Sequence, residues 1–167
     1  SYYDNYDWVA NLNNNFKTKD NSWDAQMTSE GSIYFPEALT QSYNTLGKIT
    51  GVFNNNYTYT SMLYDAKGRV IQTMNRNITA GIDISTTLYS FNGQPIVTVL
   101  KQVNSRNAQT HEIWTKNSFD DLWRVTKLEK RLKSTLVNGN VLSTWTTLST
   151  MTYDAIGQVK TKNLGTK

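Results

Sequence analysis

The 167-residue sequence holds one histidine and no cysteine, so few side chains can run acid–base or metal chemistry near neutral pH. His111 stands in the run His111-Glu112-Ile113-Trp114-Thr115. A zinc-protease helix needs a second histidine four residues on, and none follows. Thiolate ligands, disulfides and thiol nucleophiles are excluded outright. Asp120 and Asp121 are adjacent carboxylates, but neighbours on a strand point to opposite faces and make poor acid–base partners. Asp4, Asn5 and Asp7 form an oxygen-rich stretch without the spacing of a calcium loop. Neither a Gly-x-Ser-x-Gly elbow nor a Gly-x-x-x-x-Gly-Lys phosphate loop occurs. These residues predict no enzyme activity, no metal and no cofactor, with His111 an ordinary sheet residue.

Binding chemistry has more material. Lys127-Leu128-Glu129-Lys130-Arg131-Leu132-Lys133 is the densest charged run, and Trp114, Trp123 and Trp145 lie near it in sequence. Basic residues interleaved with aromatics suit nucleic acid, and indoles can stack on sugars. The net charge of +4 is uneven. Residues 1–100 carry 6 Lys and Arg against 8 Asp and Glu, whereas residues 101–167 carry 11 against 5. In a sheet, long charged side chains commonly cover a solvated face with their stems, so no nucleic-acid partner is assigned. Trp114, Trp123 and Trp145 remain candidates for a ligand surface, with a glycan as the ligand.

The elements that must position these residues read as strands. Only 18% of residues are charged, while 5 Trp, 10 Tyr and 5 Phe are present, which sets the chain apart from disordered sequences. Thr and the aromatics favour strands, and Asn with Gly favours turns. No apolar run approaches the roughly 18 residues of a membrane span. The opening Ser1-Tyr2-Tyr3-Asp4 has neither the basic start nor the apolar centre of a signal peptide, and suggests numbering that begins inside a longer parent. Asn138-Gly139, flanked by Leu136-Val137 and Val141-Leu142, predicts a tight type I′ hairpin. Beyond it Val141, Ser143, Trp145, Thr147, Ser149, Met151 and Tyr153 would share one strand face. Asn11 to Asn15 and Asn54 to Asn56 read as polar loops. Helix is confined to short turns at Ser22 to Met27 and at Pro36 to Leu39, the second with proline leading.

A repeat organises the rest. Tyr64-Asp65-Ala66-Lys67-Gly68-Arg69-Val70 is an aromatic, an acid or amide, two variable residues, Gly, a long polar residue and an apolar one. Tyr43-Asn44-Thr45-Leu46-Gly47-Lys48-Ile49 and Tyr153-Asp154-Ala155-Ile156-Gly157-Gln158-Val159 fit the same template. Tyr89-Ser90-Phe91-Asn92-Gly93-Gln94-Pro95 fits with two departures. Phe119-Asp120-Asp121-Leu122-Trp123-Arg124-Val125 fits except that Trp123 replaces Gly, which predicts a different turn or a bulge there. In each unit the aromatic ends a strand, the acid or amide bonds the turn backbone, and Gly supplies a positive φ. The unit is a strand, a tight turn and a strand, and it can bury its apolar face only beside others. The predicted fold is all-β: consecutive antiparallel hairpins in a continuous sheet, with little helix. Residues 1–42 form an opening segment and residues 43–167 the repeats. Because the motif residues vary within one chain, Tyr43, Gly47, Tyr64, Asp65, Gly68, Arg69, Tyr89, Gly93, Phe119, Asp120, Arg124, Tyr153, Asp154 and Gly157 read as architectural.

Tyr-Asp-x-x-Gly-Arg-Val at 64–70 resembles the signature of the YD-repeat, or Rhs-repeat, family. The resemblance extends through Trp23-Asp24, Tyr34-Phe35-Pro36-Glu37-Ala38, Asp83-Ile84-Ser85-Thr86-Thr87, Gln102-Val103-Asn104 and Lys160-Lys162-Asn163-Leu164-Gly165 to a bacterial branch of that family. It covers residues 22–167 and takes in Tyr2 to Asp7 as well. It implies a strip of sheet that spirals into a hollow shell, as in insecticidal toxin complexes and animal teneurins. Here the chain would be wall for a shell around a C-terminal, toxin-like cargo domain. The implied partners are the rest of a longer parent, that cargo and a secretion machinery, and the implied place is secreted or on a bacterial surface. The family's self-cleaving Asp-Pro junction is missing, since neither Pro36 nor Pro95 follows Asp. A surface adhesin or carbohydrate-binding β module is the alternative function.

Overall fold

The computed structural model describes residues 1–10, 12, 16–55 and 58–165. Among these described residues ten strands form one sheet in chain order: β1 (Tyr2–Asp4), β2 (Thr45–Asn55), β3 (Thr58–Tyr64), β4 (Val70–Arg76), β5 (Ile82–Tyr89), β6 (Pro95–Asn104), β7 (Gln109–Phe119), β8 (Val125–Ser134), β9 (Thr146–Tyr153) and β10 (Val159–Leu164). Every neighbouring pair is antiparallel, and β1 and β10 are the two edges of a sheet that does not close. The all-β fold expected from composition is therefore what the chain adopts.

Strand alternation decides which residues are buried. The registers line up Gln72, Thr86, Val99, Trp114 and Arg131 across β4 to β8, and all five are buried. Residues 5–44 lie between β1 and β2 in the chain, and described parts of this insertion cover the face. Within them α1 (Asp24–Gly31) packs on β5 and β6. Its wholly buried Met27 joins Phe16, Trp23, Leu63, Leu88, Val97 and Val99 in one core. Burying such side chains contributes about 1.5–3 kcal/mol each. Two glycines permit the close approach. A Cβ on Gly31 would lie 2.9 Å from Leu88 Cδ2, and one on Gly51 would fall 2.1 Å from the Trp8 ring.

Three local expectations are corrected. Helix α1 begins inside the predicted turn but runs on to Gly31, with short 3-10 turns at Asp7–Val9 and Ser32–Tyr34. Pro36 to Leu39 is not helical. Pro36 bridges Ser90, and the Glu37 N–H donates to the Tyr89 carbonyl at 2.8 Å, so the segment runs extended beside a turn. Asn138-Gly139 does not close a tight hairpin, because β8 stops at Ser134 and β9 starts at Thr146. The Asn138 carboxamide takes ladder positions itself. Its Oδ1 accepts from Ser134 N–H at 2.8 Å and its Nδ2 donates to the Leu132 carbonyl at 2.8 Å. Gly139 and Asn140 carry the positive φ of this wider loop. Asn54 and Asn55 belong to β2, whereas Asn11, Asn13 to Asn15 and Asn56 lie outside the described residues.

Candidate functional site: the clasped turn edge

The repeat motifs fall at one edge of the sheet, in the turns β3–β4, β5–β6, β7–β8 and β9–β10. In the first of these, the Gly68 N–H donates to the Asp65 carbonyl at 3.1 Å, and Asp65 N–H to the Arg69 carbonyl at 2.9 Å. The Asp65 Oδ1 accepts from the N–H groups of Lys67 and Arg69, both at 2.9 Å, while Oδ2 takes Arg69 Nε at 2.6 Å. Asp120 repeats the pattern with Leu122, Arg124 and the Arg124 guanidinium. Asp154 repeats the backbone part with Ile156 and Gln158. Ser90 Oγ replaces the carboxylate in the β5–β6 turn and accepts from Gln94 N–H at 3.0 Å. Burial pushes the Asp120 carboxyl pKa up, but hydrogen bonds from Arg124 and its charge outweigh this and hold it below the ordinary value.

A shared bulge follows each turn. Tyr64 pairs Val70 while Leu63 pairs Gln72, which leaves Ile71 as the extra residue. Ile96, Thr126 and Lys160 hold the same place in the later units. Ile71 and Ile96 are buried toward the core. Trp123 keeps the glycine conformation, with φ 61°, and its N–H donates to the Asp120 carbonyl at 2.9 Å. An L residue there costs about 1–2 kcal/mol. Of the different turn or bulge expected there, the turn is the same as in the other units, and the bulge at Thr126 is one that they share.

The unit predicted at Tyr43 is assembled differently. Tyr43 is 65% exposed, and its ring meets the Tyr6 ring edge-on at 6.5 Å. The residue paired with Ile49, as Tyr64 is with Val70, is Tyr3. Asp4 Oδ1 accepts from Gly47 N–H at 2.6 Å. The first unit is thus Tyr3-Asp4 joined in space to Gly47-Lys48-Ile49, with residues 5–44 inserted between its halves.

Successive units are clasped together. Continued past the strand ends, the registers set Lys48 opposite Tyr64, Arg69 opposite Tyr89, Gln94 opposite Phe119 and Arg124 opposite Tyr153. The cations sit 5.3, 4.9 and 4.5 Å from the three tyrosine ring centres. Each tyrosine hydroxyl then donates to the carbonyl of the motif's apolar residue: Tyr64 to Ile49 at 2.6 Å, Tyr89 to Val70 at 3.1 Å, Tyr153 to Val125 at 2.7 Å. Desolvation raises the pKa of Tyr64 and Tyr89. Phe119 has no hydroxyl, and Asn117 Nδ2 serves the Pro95 carbonyl instead at 2.9 Å.

The basic run of β8 divides between the two faces. Lys127, Glu129, Arg131 and Lys133 face the side covered by α1. Arg131 lies between the rings of Trp114 and Trp145, 4.3 and 4.4 Å from their centres, and its Nη1 is 2.9 Å from Glu30. Lys116 is 3.0 Å from Glu30 and 4.4 Å from the Trp145 ring centre, and Trp145 Nε1 donates to Glu30 at 3.2 Å. Lys127 pairs with Glu129 at 2.7 Å. Burial pushes the Glu30 carboxyl up, but hydrogen bonds from Lys116 and Trp145 and the charges of Lys116 and Arg131 bring it below its usual range. Trp114 is fully buried and donates to Glu112 at 2.7 Å, so it presents no stacking face. Trp145 packs on the core, half-buried. Trp123 instead joins Tyr34, Phe91 and Phe119 in an aromatic cluster at the turn edge, with Phe35 beside it and 73% exposed. Nothing in the sequence marked Glu30, and Tyr3 and Tyr34 stood only within the family resemblance, with no role of their own.

His111 and Asp121 are the remaining candidates. His111 Nδ1 lies 2.9 Å from Ser134 Oγ, but that hydroxyl is buried and accepts from the Leu136 N–H at 3.1 Å, capping the loop. Asp121 is exposed beside Asp120, which is committed to its turn. Among the described residues no group of three His, Cys, Asp or Glu is placed to hold a metal ion. None of the helices in these residues is long and apolar enough to cross a membrane. No family model matches the chain, and neither a curated protein nor a solved structure matches it.

Proposed function

We propose that the chain is a non-catalytic wall segment of a secreted or surface YD-repeat protein of the bacterial Rhs type, in which the sheet encloses a C-terminal, toxin-like domain. One observation carries the reading: three of the four joints between successive units are clasped in the same way along one side of an open sheet, and strand β10 is exposed along its whole length. A sheet joined by nearest-neighbour contacts extends by adding units and needs no active site. Its partners are then the rest of the parent, the enclosed domain and a secretion machinery. Intact mass and limited proteolysis of the native protein test this. The expected result is a mass well above 19.1 kDa, a resistant shell and a separately protected C-terminal fragment. A native species of 19.1 kDa that resists as one compact body overturns it.

The exposed cluster of Phe35, Phe91 and Leu122 around Trp123 favours a second reading, an adhesin or carbohydrate-binding β module. A glycan array scored with Trp123→Ala separates the two. Binding lost in that variant supports the module, and an unresponsive array supports the wall.

A further inference from the structure

Tyr43 is left without a joint, because Tyr3 takes the place expected of it. It stands instead on the rim of a cavity of about 280 Å³ between the end of β1 and the start of β2. Tyr6 and Thr45, both buried, form the floor. Asp4, Asp7 and Lys17 are exposed on the walls. These walls carry charge that the fold does not use. Asp4 Oδ1 accepts from the Gly47 N–H, but among the described residues its Oδ2 has no partner. The Asp7 carboxylate and the Lys17 ammonium line the same cavity, yet neither is bonded to the other or to any other described group. Lys17 is anchored through its backbone: Gln41 Nε2 donates to its carbonyl at 2.8 Å, and Gln41 Oε1 accepts from the Lys19 N–H at 2.9 Å. Asp4 also has a φ of 68°, which Asp65, Asp120 and Asp154 at the same motif position do not share. Backbone held in that region clusters at binding sites.

We propose that this cavity binds a free α-amino acid with an apolar side chain. The ligand's ammonium lies between Asp4 Oδ2 and Asp7, its carboxylate meets Lys17, and its side chain packs on the Tyr43 ring. Charge complementarity selects this class. Two carboxylates repel a ligand that is only an anion, and Lys17 gives a carboxylate its seat while opposing a second cation. The rings of Tyr6 and Tyr43, edge-on to each other, supply apolar surface beside the charges. Apolar walls with a few convergent polar groups are the usual make-up of a small-molecule site. The volume lies near the low end of such sites, about 300–1,000 Å³, and suits a molecule of amino-acid size. The site goes beyond the wall reading and does not depend on it.

The probe is leucine, added to the full chain beside two partial copies of it. Isoamylamine lacks the carboxylate, and isocaproate lacks the ammonium. Binding is read from the amide shifts of Asp7, Lys17, Tyr43 and Thr45. Leucine should bind with a Kd of about 1 mM, isoamylamine about three- to fivefold more weakly, and isocaproate not measurably. Lys17→Gln should weaken leucine alone, about three- to fivefold, and so erase its advantage over the amine. Asp7→Asn should weaken leucine and isoamylamine by the same factor. Neither side chain carries a bond of the fold, so both variants keep the native structure. An advantage of leucine over isoamylamine that survives Lys17→Gln overturns the carboxylate seat, and with it the amino-acid assignment. Isocaproate binding as tightly as leucine overturns the ammonium seat. No shifts from leucine or isoamylamine at about 10 mM, ten times the expected Kd, overturn the site.

Discussion

Between the second and third units, Arg69 lies 4.9 Å from the Tyr89 ring centre and the Tyr89 hydroxyl reaches the Val70 carbonyl. Between the third and fourth, Gln94 supplies no cation and Phe119 no hydroxyl. There the insertion steps in. The Tyr34 hydroxyl accepts from Phe119 N–H at 3.0 Å, and its ring meets Phe119 edge-on at 5.3 Å. Further along the same side, Glu30 ties the insertion to Lys116 on β7 and Arg131 on β8. In the first kind of joint the ring contacts come from motif side chains and the insertion adds a backbone bond, Glu37 N–H to the Tyr89 carbonyl, whereas in the second the insertion supplies the ring and hydroxyl contacts itself. The difference teaches that the motif can lapse where another element bridges the neighbouring units.

The strongest way to break a self-held joint is Tyr64→Ala. Tyr64 is buried, carries its hydroxyl bond to Ile49 and has Lys48 over its ring. The loss should be about 3–5 kcal/mol, typical of a large buried aromatic. Denaturant unfolding measures it, and an unmoved midpoint would refute the clasp as a source of stability.

Breaking the insertion-held side should cost less. Glu30→Gln removes the carboxylate bonded to Arg131, leaves Lys116 only Glu129 at 3.9 Å, and should destabilise by about 2–3 kcal/mol. It also has a pH signature. The folded pKa of Glu30 lies below its ordinary 4.5, so its contribution is fully present above that value. The contribution falls away as pH drops through the folded pKa. The native chain should therefore lose stability below about pH 4.5 more steeply than Glu30→Gln. Parallel acid titrations of the two would remove Glu30 as the cause.

This division explains what was legible beforehand. Tyr64 to Val70 and Tyr153 to Val159 are contiguous, and all the turn chemistry of Asp65 and Asp154 is local, within four residues. Such signals survive in a bare sequence. The first unit was assigned to Tyr43 because its true aromatic, Tyr3, is separated from Gly47 by the inserted residues. Charged β8 read as a solvated face, yet Arg131 is buried between two indoles by a carboxylate on α1. No periodicity announces a partner so distant. Asn138-Gly139 failed for the opposite reason: the local turn signal was real, but the Asn138 side chain bonded Ser134 and Leu132 and widened the loop.

A subtler change isolates the hydroxyl. Tyr89→Phe keeps the ring under Arg69 and removes only the bond to Val70, which should cost about 1 kcal/mol. Burial raises the phenol pKa of Tyr89, so the folded state opposes its ionisation. The stability tied to that proton is present below about pH 10 and is lost as pH rises through the folded pKa. Denaturant midpoints measured in alkali should fall as pH rises through the folded Tyr89 pKa in the native chain, and the part of that fall due to Tyr89 should be absent in Tyr89→Phe.

The smallest effect comes from rebuilding the lapsed joint. Ser90→Asp with Gln94→Arg would recreate the pair seen at Asp65 and Arg69 and set a guanidinium opposite Phe119. A cation over an exposed ring contributes about 0.5–1 kcal/mol. The double variant should gain about 0.5 kcal/mol, since the Tyr34 ring already covers part of Phe119. Adding Tyr34→Ala makes the test decisive. With the insertion's ring gone, the rebuilt joint should recover more of the lost stability than it adds to the native chain. Strictly additive effects would mean that Tyr34 and the clasp do not share Phe119, and that the insertion does not substitute for the motif.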